Sequence, residues 1–440
     1  MKALDKKPEN NLRAFLAKAV AGTFGLQIAN AGFGYLNVLL LARFLGAAGY
    51  GTYAYAIAWV NLLTIPALLG LKGLIIREVS VYHSKEQWGL AKGLLIWANK
   101  IVFIAALTLA LLFVSAIWQL APPSDPQVLT VLWAAIIAIP LSALTRLRQP
   151  MMQALNRIVL GQLPELLIRP LLLSLLFGGS YLAFEQHFAP SWAMGMYVTA
   201  SGVAFLIGSR LLQKSLPPIY QKVPAEYQPR TWLKSALPML LVGGMYIINN
   251  KTDVVMLGMM QDQAEVGIYT VATQGAGLLT FVLIAFNTSL APTFASLYSQ
   301  GNLRKLQKIV TKSARMILLA ALPLGLGLII FSTFFLSLFG PEFIQGKDTL
   351  SILMIGQLFN AATGSVALLL TMTKHERDVA IGVTTSALLN IILNVVLIPK
   401  NGAEGAALAT TVSRSLWNIV LVFLAYKRLR IHTTALGKII

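Results

Sequence analysis

The 440-residue chain is 57% hydrophobic and only 12% charged, where a soluble domain carries about one quarter charged residues. With a mean hydropathy of +0.71 it reads as a polytopic membrane protein. Its formal charge of +19 follows from orientation in a bilayer and not from nucleic acid, because apolar runs leave no broad water-facing surface for a basic binding face. Cysteine is absent, which excludes disulfides and Cys-based metal sites.

The amino terminus, MKALDKKPENNLRAFLAKAV, has no short apolar core ending in a small-residue cleavage site, so it is expected to be a cytoplasmic tail. A helix needs about 20 apolar residues to cross the hydrocarbon. Segments of that kind lie near 20–42, 50–72, 94–119, 127–147, 159–184 and 190–212, then near 235–258, 266–290, 313–339, 349–373, 379–398 and 404–426. One set of connections carries the basic residues: Lys2, Lys6, Lys7, Arg13 and Lys18, Lys85 and Lys92, Arg146, Arg148 and Arg157, and Arg210, Lys214, Lys222 and Arg230. It continues through Arg304, Lys305, Lys308 and Lys312, Lys374 and Arg377, to Lys427, Arg428, Arg430 and Lys438. The opposite set, including APPSDP, FEQHFAP, MMQDQAE and FGPEFIQGKD, has little besides Lys347 and Lys400. Both termini are therefore predicted to face the cytoplasm, and the short outer loops leave no extracytoplasmic domain.

An internal repeat runs through the chain. Gly51 and Tyr53 pair with Gly267 and Tyr269, and Tyr82 and Lys92 with Tyr298 and Lys308, all at one offset; Asn37 pairs with Asn249, and Leu45-Gly46 with Leu257-Gly258, at an offset four residues shorter. Six spans per half preserve orientation, so the halves are expected to be parallel repeats about an axis along the membrane normal. The polar, proline-rich stretch 213–232 is the natural linker. The predicted organisation is an N-terminal six-helix lobe (1–212), a cytoplasmic linker (213–232) and a C-terminal six-helix lobe (233–440). The fold class is an all-α integral membrane protein of twelve spans, with a cavity expected between the lobes.

The stretches RFLGAAGYGTYAYA, LLGLKGLIIREVS, VGIY and IPKNGAEGAALAT resemble the polysaccharide flippases, O-antigen type, of the multidrug/oligosaccharidyl-lipid/polysaccharide exporter superfamily, which also holds the multidrug and toxin extrusion transporters and the lipid II flippases. The likeness covers nearly the whole chain, and its motifs are mostly small residues in loops. The resemblance implies a MATE-like fold in the bacterial inner membrane, no catalytic activity, and movement of an undecaprenyl-diphosphate-linked oligosaccharide from the cytoplasmic to the periplasmic leaflet. It implies membrane lipids and the polysaccharide polymerase machinery as neighbours. Lipid II flippases typically have fourteen spans, and twelve are counted here.

An ionised side chain in hydrocarbon costs a few kcal/mol by insertion scales, so each one requires an explanation. In YIINNKTDVVMLGMM, residues Tyr246, Asn249, Asn250 and Asp253 share one helix face, while Lys251 points roughly the other way. Lys251 either snorkels to headgroups or joins Asn249 and Asp253 in lining the cavity. In GQLPELLIRPLLL, Glu165 and Arg169 are four apart, the spacing of a helical ion pair, between Pro164 and Pro170. Arg169 lies roughly 15 Å along its span, about mid-bilayer. Arg414 is at a similar depth, with Asn418 on its face and no acid within a turn or two. Arg169 and Arg414 are therefore the candidates to grip a diphosphate bidentately. Asn30 and Asn37 follow a polar stripe on the first span and Asn390 and Asn394 one on the eleventh; hydrogen bonding between helices explains such residues as readily as substrate does.

No cofactor and no metal site are expected. Any coupling to H+ or Na+ falls to Asp253 or Glu165, since all four His lie in loops or tails. No phosphate-binding GxxxxGK[ST] loop occurs, so ATP is not hydrolysed by that route. Three rivals stand beside the flippase. An exporter of small organic cations should have an acidic cavity, a polysaccharide polymerase usually needs a large extramembrane loop, and a structural scaffold would not need buried charges.

Overall fold

A computed structural model describes residues 6–120, 126–183 and 188–437, and side chains within these except at 6–20, 117–120, 181–183, 238 and 241–250. Every regular element among the described residues is helical. In chain order they are α1 (Lys6–Ala67), α2 (Leu71–Ser84), α3 (Trp88–Leu120), α4 (Pro126–Ala154), α5 (Ile158–Leu163), a π turn (Pro164–Ile168), α6 (Arg169–Ala183), α7 (Pro190–Ser215) and the short α8 (Ile219–Lys222). The second half comprises α9 (Pro229–Met260), α10 (Gln263–Ser299), α11 (Leu303–Ile330), α12 (Ser332–Ser337), α13 (Lys347–Thr363), α14 (Val366–Met372) and α15 (Glu376–Leu429). Among the described residues eight helices are long and apolar enough to cross a membrane, and nine if Pro341–Thr363 and Val366–Met372, bent by 42°, count as one broken span. The chain divides into two compact units, one of Met1–Phe44 with Trp59–Gly244 and the other of Leu45–Ala58 with Met245–Ile440.

A straight α1 of 62 residues would be about 93 Å long, three times the hydrocarbon thickness. It does not run straight: Gly46 takes φ 65°, ψ −176°, a conformation that costs glycine little and other residues much. α15 breaks in the same way at Gly402, φ 50°, ψ −129°. Each break exposes the amide that opens the next helical stretch, and in the second unit each is met by a carboxylate. Ala47 N–H donates to Glu342 at 2.6 Å and Ala403 N–H to Glu265 at 2.7 Å. An acid at a helix N-terminus satisfies an orphan donor and the dipole together. The repeat partners Gly51 and Gly267 also pack backbone to backbone here, where a Cβ on Gly51 would collide with the Gln263 carbonyl and one on Gly267 with that of Ala47.

Within each unit the segment after the last long helix folds back over the third. In the first unit, the 216–228 segment crosses the start of α3: Lys92 Nζ donates to the Val223 carbonyl at 2.8 Å, Glu226 N–H to the Gly89 carbonyl at 3.0 Å, and Tyr220 meets His83. Burial lowers the His83 imidazole and raises the Tyr220 phenol, so both stay neutral and share one hydrogen bond between Nε2 and Oη. In the second unit the carboxy-terminal segment does the equivalent on α11. The Gln307 amide grips the His432 backbone at both N–H (2.7 Å) and C=O (2.8 Å). Arg315 then donates to the Ala435 and Gly437 carbonyls at 3.0 and 3.1 Å. Ala435 N–H in turn satisfies the Ala362 carbonyl at 2.9 Å, just before the α13–α14 break. Ile431, Thr433 and Ala435 are buried while His432 and Leu436 are exposed, the alternation of an extended segment with one face inward.

Candidate functional site

The first unit places a charge cluster on four helices. Pro170 has no N–H to return to the turn before it, and the chain there takes a π turn closed by Arg169 N–H on the Pro164 carbonyl; such bulges are frequent at functional sites. The turn carries Glu165. Its carboxylate accepts from Arg146 Nε on α4 at 3.1 Å and lies 3.7 Å from Arg169 Nη2. Arg146 also donates to Asn61 Oδ1, and the Arg169 guanidinium lies 5.6 Å from the Tyr197 ring centre on α7, within cation–π range. Among the described residues two guanidinium groups thus share one carboxylate, so bases outnumber acids in the cluster. The side chains of Arg146, Glu165 and Arg169 keep 22%, 20% and 15% of their surface exposed, so a ligand or water can reach them.

The Glu165–Arg169 pair is therefore part of a larger set in which Arg146, counted from sequence as a loop cation, makes the shorter contact. Arg146 and Arg148 both sit inside α4, because that helix runs on to Ala154. Arg148 turns the other way and is 7% exposed, bonded to Ser209 Oγ at 3.1 Å and to Asn99.

The second unit holds a different polar cluster. Asp253 is 4% exposed, and one carboxylate oxygen accepts from Asn394 Nδ2 at 2.7 Å. The other accepts from Tyr269 Oη at 2.9 Å and Thr410 Oγ1 at 2.6 Å. Asn390 joins through Asn394 and Thr410. Among the described residues, the groups that hydrogen-bond this carboxylate are neutral donors. The arrangement suits a carboxylate that exchanges hydrogen-bond partners for a proton or a small cation.

The other predicted residues are scattered. Asn37 is buried and donates to the Pro170 carbonyl at 3.0 Å while accepting from Ser174 Oγ at 2.8 Å, which ties α1 to α6. Asn30, Lys251 and Arg414 are half-buried. Asn249 lies in α9, and its side chain is outside the described residues, like those of Tyr246 and Asn250. Arg77 pairs with Glu78 at 2.9 Å on an exposed surface. Among the described residues no group of three or more His, Cys, Asp or Glu could hold a metal.

The sequence reading missed Arg146, Asn61, Tyr197, Tyr269 and Thr410. A signal for several of them exists. Arg146 and Glu165 stand at similar distances either side of the turn at Leu155–Arg157, and Asp253 and Tyr269 each stand eight residues from Gln261. Antiparallel helices joined by a tight turn bring such pairs level, so depth could be matched from turn positions alone.

Apolar helices, broken spans and membrane-level polar clusters define a polytopic membrane protein of transporter type. The profile of the family described as polysaccharide biosynthesis protein matches residues 16–298, and the chain belongs to that family; the MatE profile matches residues 238–396. The probable flippase AglR of Haloferax volcanii is 25% identical over 422 residues, with 93% of this chain and 83% of the relative covered. The probable low-salt glycan biosynthesis flippase Agl15 of the same organism is 23% identical, covering 90% and 81%. Among solved structures, the lipid II flippase MurJ in an inward closed conformation superposes with TM-score 0.72 at 17% identity, covering 93% of this chain and 87% of that one. An inward-facing multidrug resistance MATE family transporter superposes with TM-score 0.73 at 12% identity, covering 91% and 94%. These relatives are flippases and transporters and not catalytic enzymes, and the superpositions establish the MATE-like fold.

Proposed function

We propose that the protein is a flippase of a lipid-linked oligosaccharide, carrying an undecaprenyl-diphosphate-linked unit from the cytoplasmic to the outer leaflet by alternating access. In this reading the chain crosses the membrane twelve times with both termini in the cytoplasm, α1 and α15 each contributing two crossings around Gly46 and Gly402. The bacterial inner membrane is the proposed location, although the two curated relatives are archaeal. The observation that carries the proposal is the Arg146–Glu165–Arg169 cluster. A surplus cation at membrane depth is costly alone, and a diphosphate is the counter-ion whose oxygens two guanidinium groups grip well. Arg414 is the corresponding basic candidate of the second unit. A hydroxyl-rich headgroup cannot cross hydrocarbon unaided, which is the problem such a protein solves.

Asp253 is the proposed coupling residue for H+ or Na+. Glu165, the other candidate, is already held by two guanidinium groups, whereas among the described residues the Asp253 carboxylate is hydrogen-bonded by neutral donors. An exporter of organic cations would need acids in excess where this cluster has bases.

The test is complementation of flippase-deficient cells, scoring surface polysaccharide against membrane abundance. Wild type should restore polymer, and Arg169→Ala, inserted normally, should not. Failure of wild type with every polysaccharide tried would favour the small-molecule exporter.

A further inference from the structure

The two legs of α15 form a groove with a volume of about 210 Å³, lined on one leg by Asp378, Gly382, Thr385 and Leu389 and on the other by Trp417 and Leu424. It exists because residue 382 has no side chain: a Cβ there would stand 3.0 Å from Trp417 Cδ1. Its floor is closed where Ser386 Oγ donates to the Ser413 carbonyl at 3.2 Å. Its rim is apolar and outward-facing, with Ile381 65% and Leu416 46% exposed, the surface that lipid chains cover.

From Asp378 to Leu389 the groove runs about 16 Å along the helix, close to the roughly 15 Å hydrocarbon depth of one leaflet. With about 210 Å³ over that length, the groove is narrow, one chain wide and not two. One end is charged. Arg428 holds Asp378 at 3.1 and 3.4 Å and stays half exposed, and Lys374, Arg377, Lys427 and Arg430 flank the pair in sequence. On the charge-derived orientation this basic collar stands at the cytoplasmic headgroup level, where it complements a phosphate.

We propose that this groove seats the polyisoprenoid tail of the lipid-linked substrate in the cytoplasmic leaflet, with the phosphate end at the basic collar. The proposal rests on the flippase reading and adds a place for the part of the substrate that never leaves the hydrocarbon. A tail held on α15 keeps the headgroup tethered to the second unit while the sugar passes.

The test is photolabelling of the purified full-length protein in phosphatidylethanolamine vesicles, using a diazirine-bearing polyprenyl phosphate and, separately, a diazirine-bearing phosphatidylglycerol. The isoprenoid probe should label peptides within 378–424. Labelling should fall at least tenfold in Thr385→Trp, which fills the groove from an exposed position, and stay unchanged in Leu388→Trp, whose exposed side chain is outside the lining. Arg428→Gln should narrow the preference for polyprenyl phosphate over polyprenol. Equal labelling by phosphatidylglycerol, or labelling indifferent to Thr385→Trp, would overturn the groove. The flippase reading is scored separately by complementation. If wild type complements while the groove is unlabelled, the groove alone falls; if the groove is labelled while wild type restores no polysaccharide, that reading falls and an isoprenoid-phosphate site remains.

Discussion

Arg146→Gln separates what the charge cluster does for folding from what it does for transport. Removing one partner of a fully buried ion pair costs about 3–5 kcal/mol. Here the side chains are 15–22% exposed and Arg169 still faces Glu165 at 3.7 Å, so solvent and the remaining cation reduce the cost to about 1–2 kcal/mol. Glu165→Gln alone leaves two guanidinium groups without their carboxylate, and the double variant Arg146→Gln/Glu165→Gln leaves only Arg169 so, which should recover part of the Glu165→Gln loss and give a coupling energy of about 1 kcal/mol between the two sites. Thermal unfolding of the detergent-solubilised protein reads this cycle. Export should follow a different pattern, because Glu165→Gln keeps both guanidinium groups while each double variant, with Arg146→Gln or Arg169→Gln, keeps one. Glu165→Gln should export normally for its abundance, and the two double variants, each scored against its own membrane abundance, should lose at least tenfold, about 1.4 kcal/mol. If both double variants export like wild type, the surplus-charge argument is wrong and the cluster is structural.

Three further outcomes are expected. Asp253→Asn turns an amide toward donors that now bond a carboxylate; the hydroxyls can rotate to accept, so stability should drop by about 1–2 kcal/mol and export should lose its response to an imposed H+ or Na+ gradient in vesicles. Gln307→Ala breaks both bonds to the His432 backbone, and limited proteolysis should remove the carboxy-terminal segment faster while amino-terminal fragments are unchanged. Because burial lowers the His83 imidazole, the folded state disfavours its protonated form, so the contact with Tyr220 is intact at pH 8 and weakens as pH falls below about 6.5, the unfolded value. Hydrogen exchange in the 216–226 backbone should rise at pH 5, and His83→Gln should flatten that dependence.

The all-helical membrane character was legible because hydropathy acts over whole segments, and errors of a few residues do not alter it. The Glu165–Arg169 pair was legible because it is local, four residues along one helix. Arg146 was not, because the basic residues near 146–157 were assigned together to a connection, whereas α4 continues to Ala154 and carries the first two inside. A wrong helix end of seven residues moves a side chain about 10 Å, enough to turn a membrane-level site into a surface anchor.

The Asp253 cluster shows what kind of reading would have sufficed. Asp253 and Tyr269 each lie eight residues from Gln261, and Asn394 and Thr410 each eight from Gly402, so all four sit about 12 Å below their turns. Two helical hairpins whose turns share a level must then bring these residues to one depth. That level is fixed in the structure by bonds between the turns themselves: Gln261 Nε2 donates to the Ile398 carbonyl at 2.8 Å and Glu265 accepts from Ala403. Spacing supplies the depth, but the choice of neighbour depends on those long-range contacts. Glu265 therefore acts on the candidate ion site without touching it, by holding the two hairpins in register. Glu265→Gln, which can still accept from Ala403, should preserve that register, and Glu265→Ala should loosen it and weaken the gradient response along with stability.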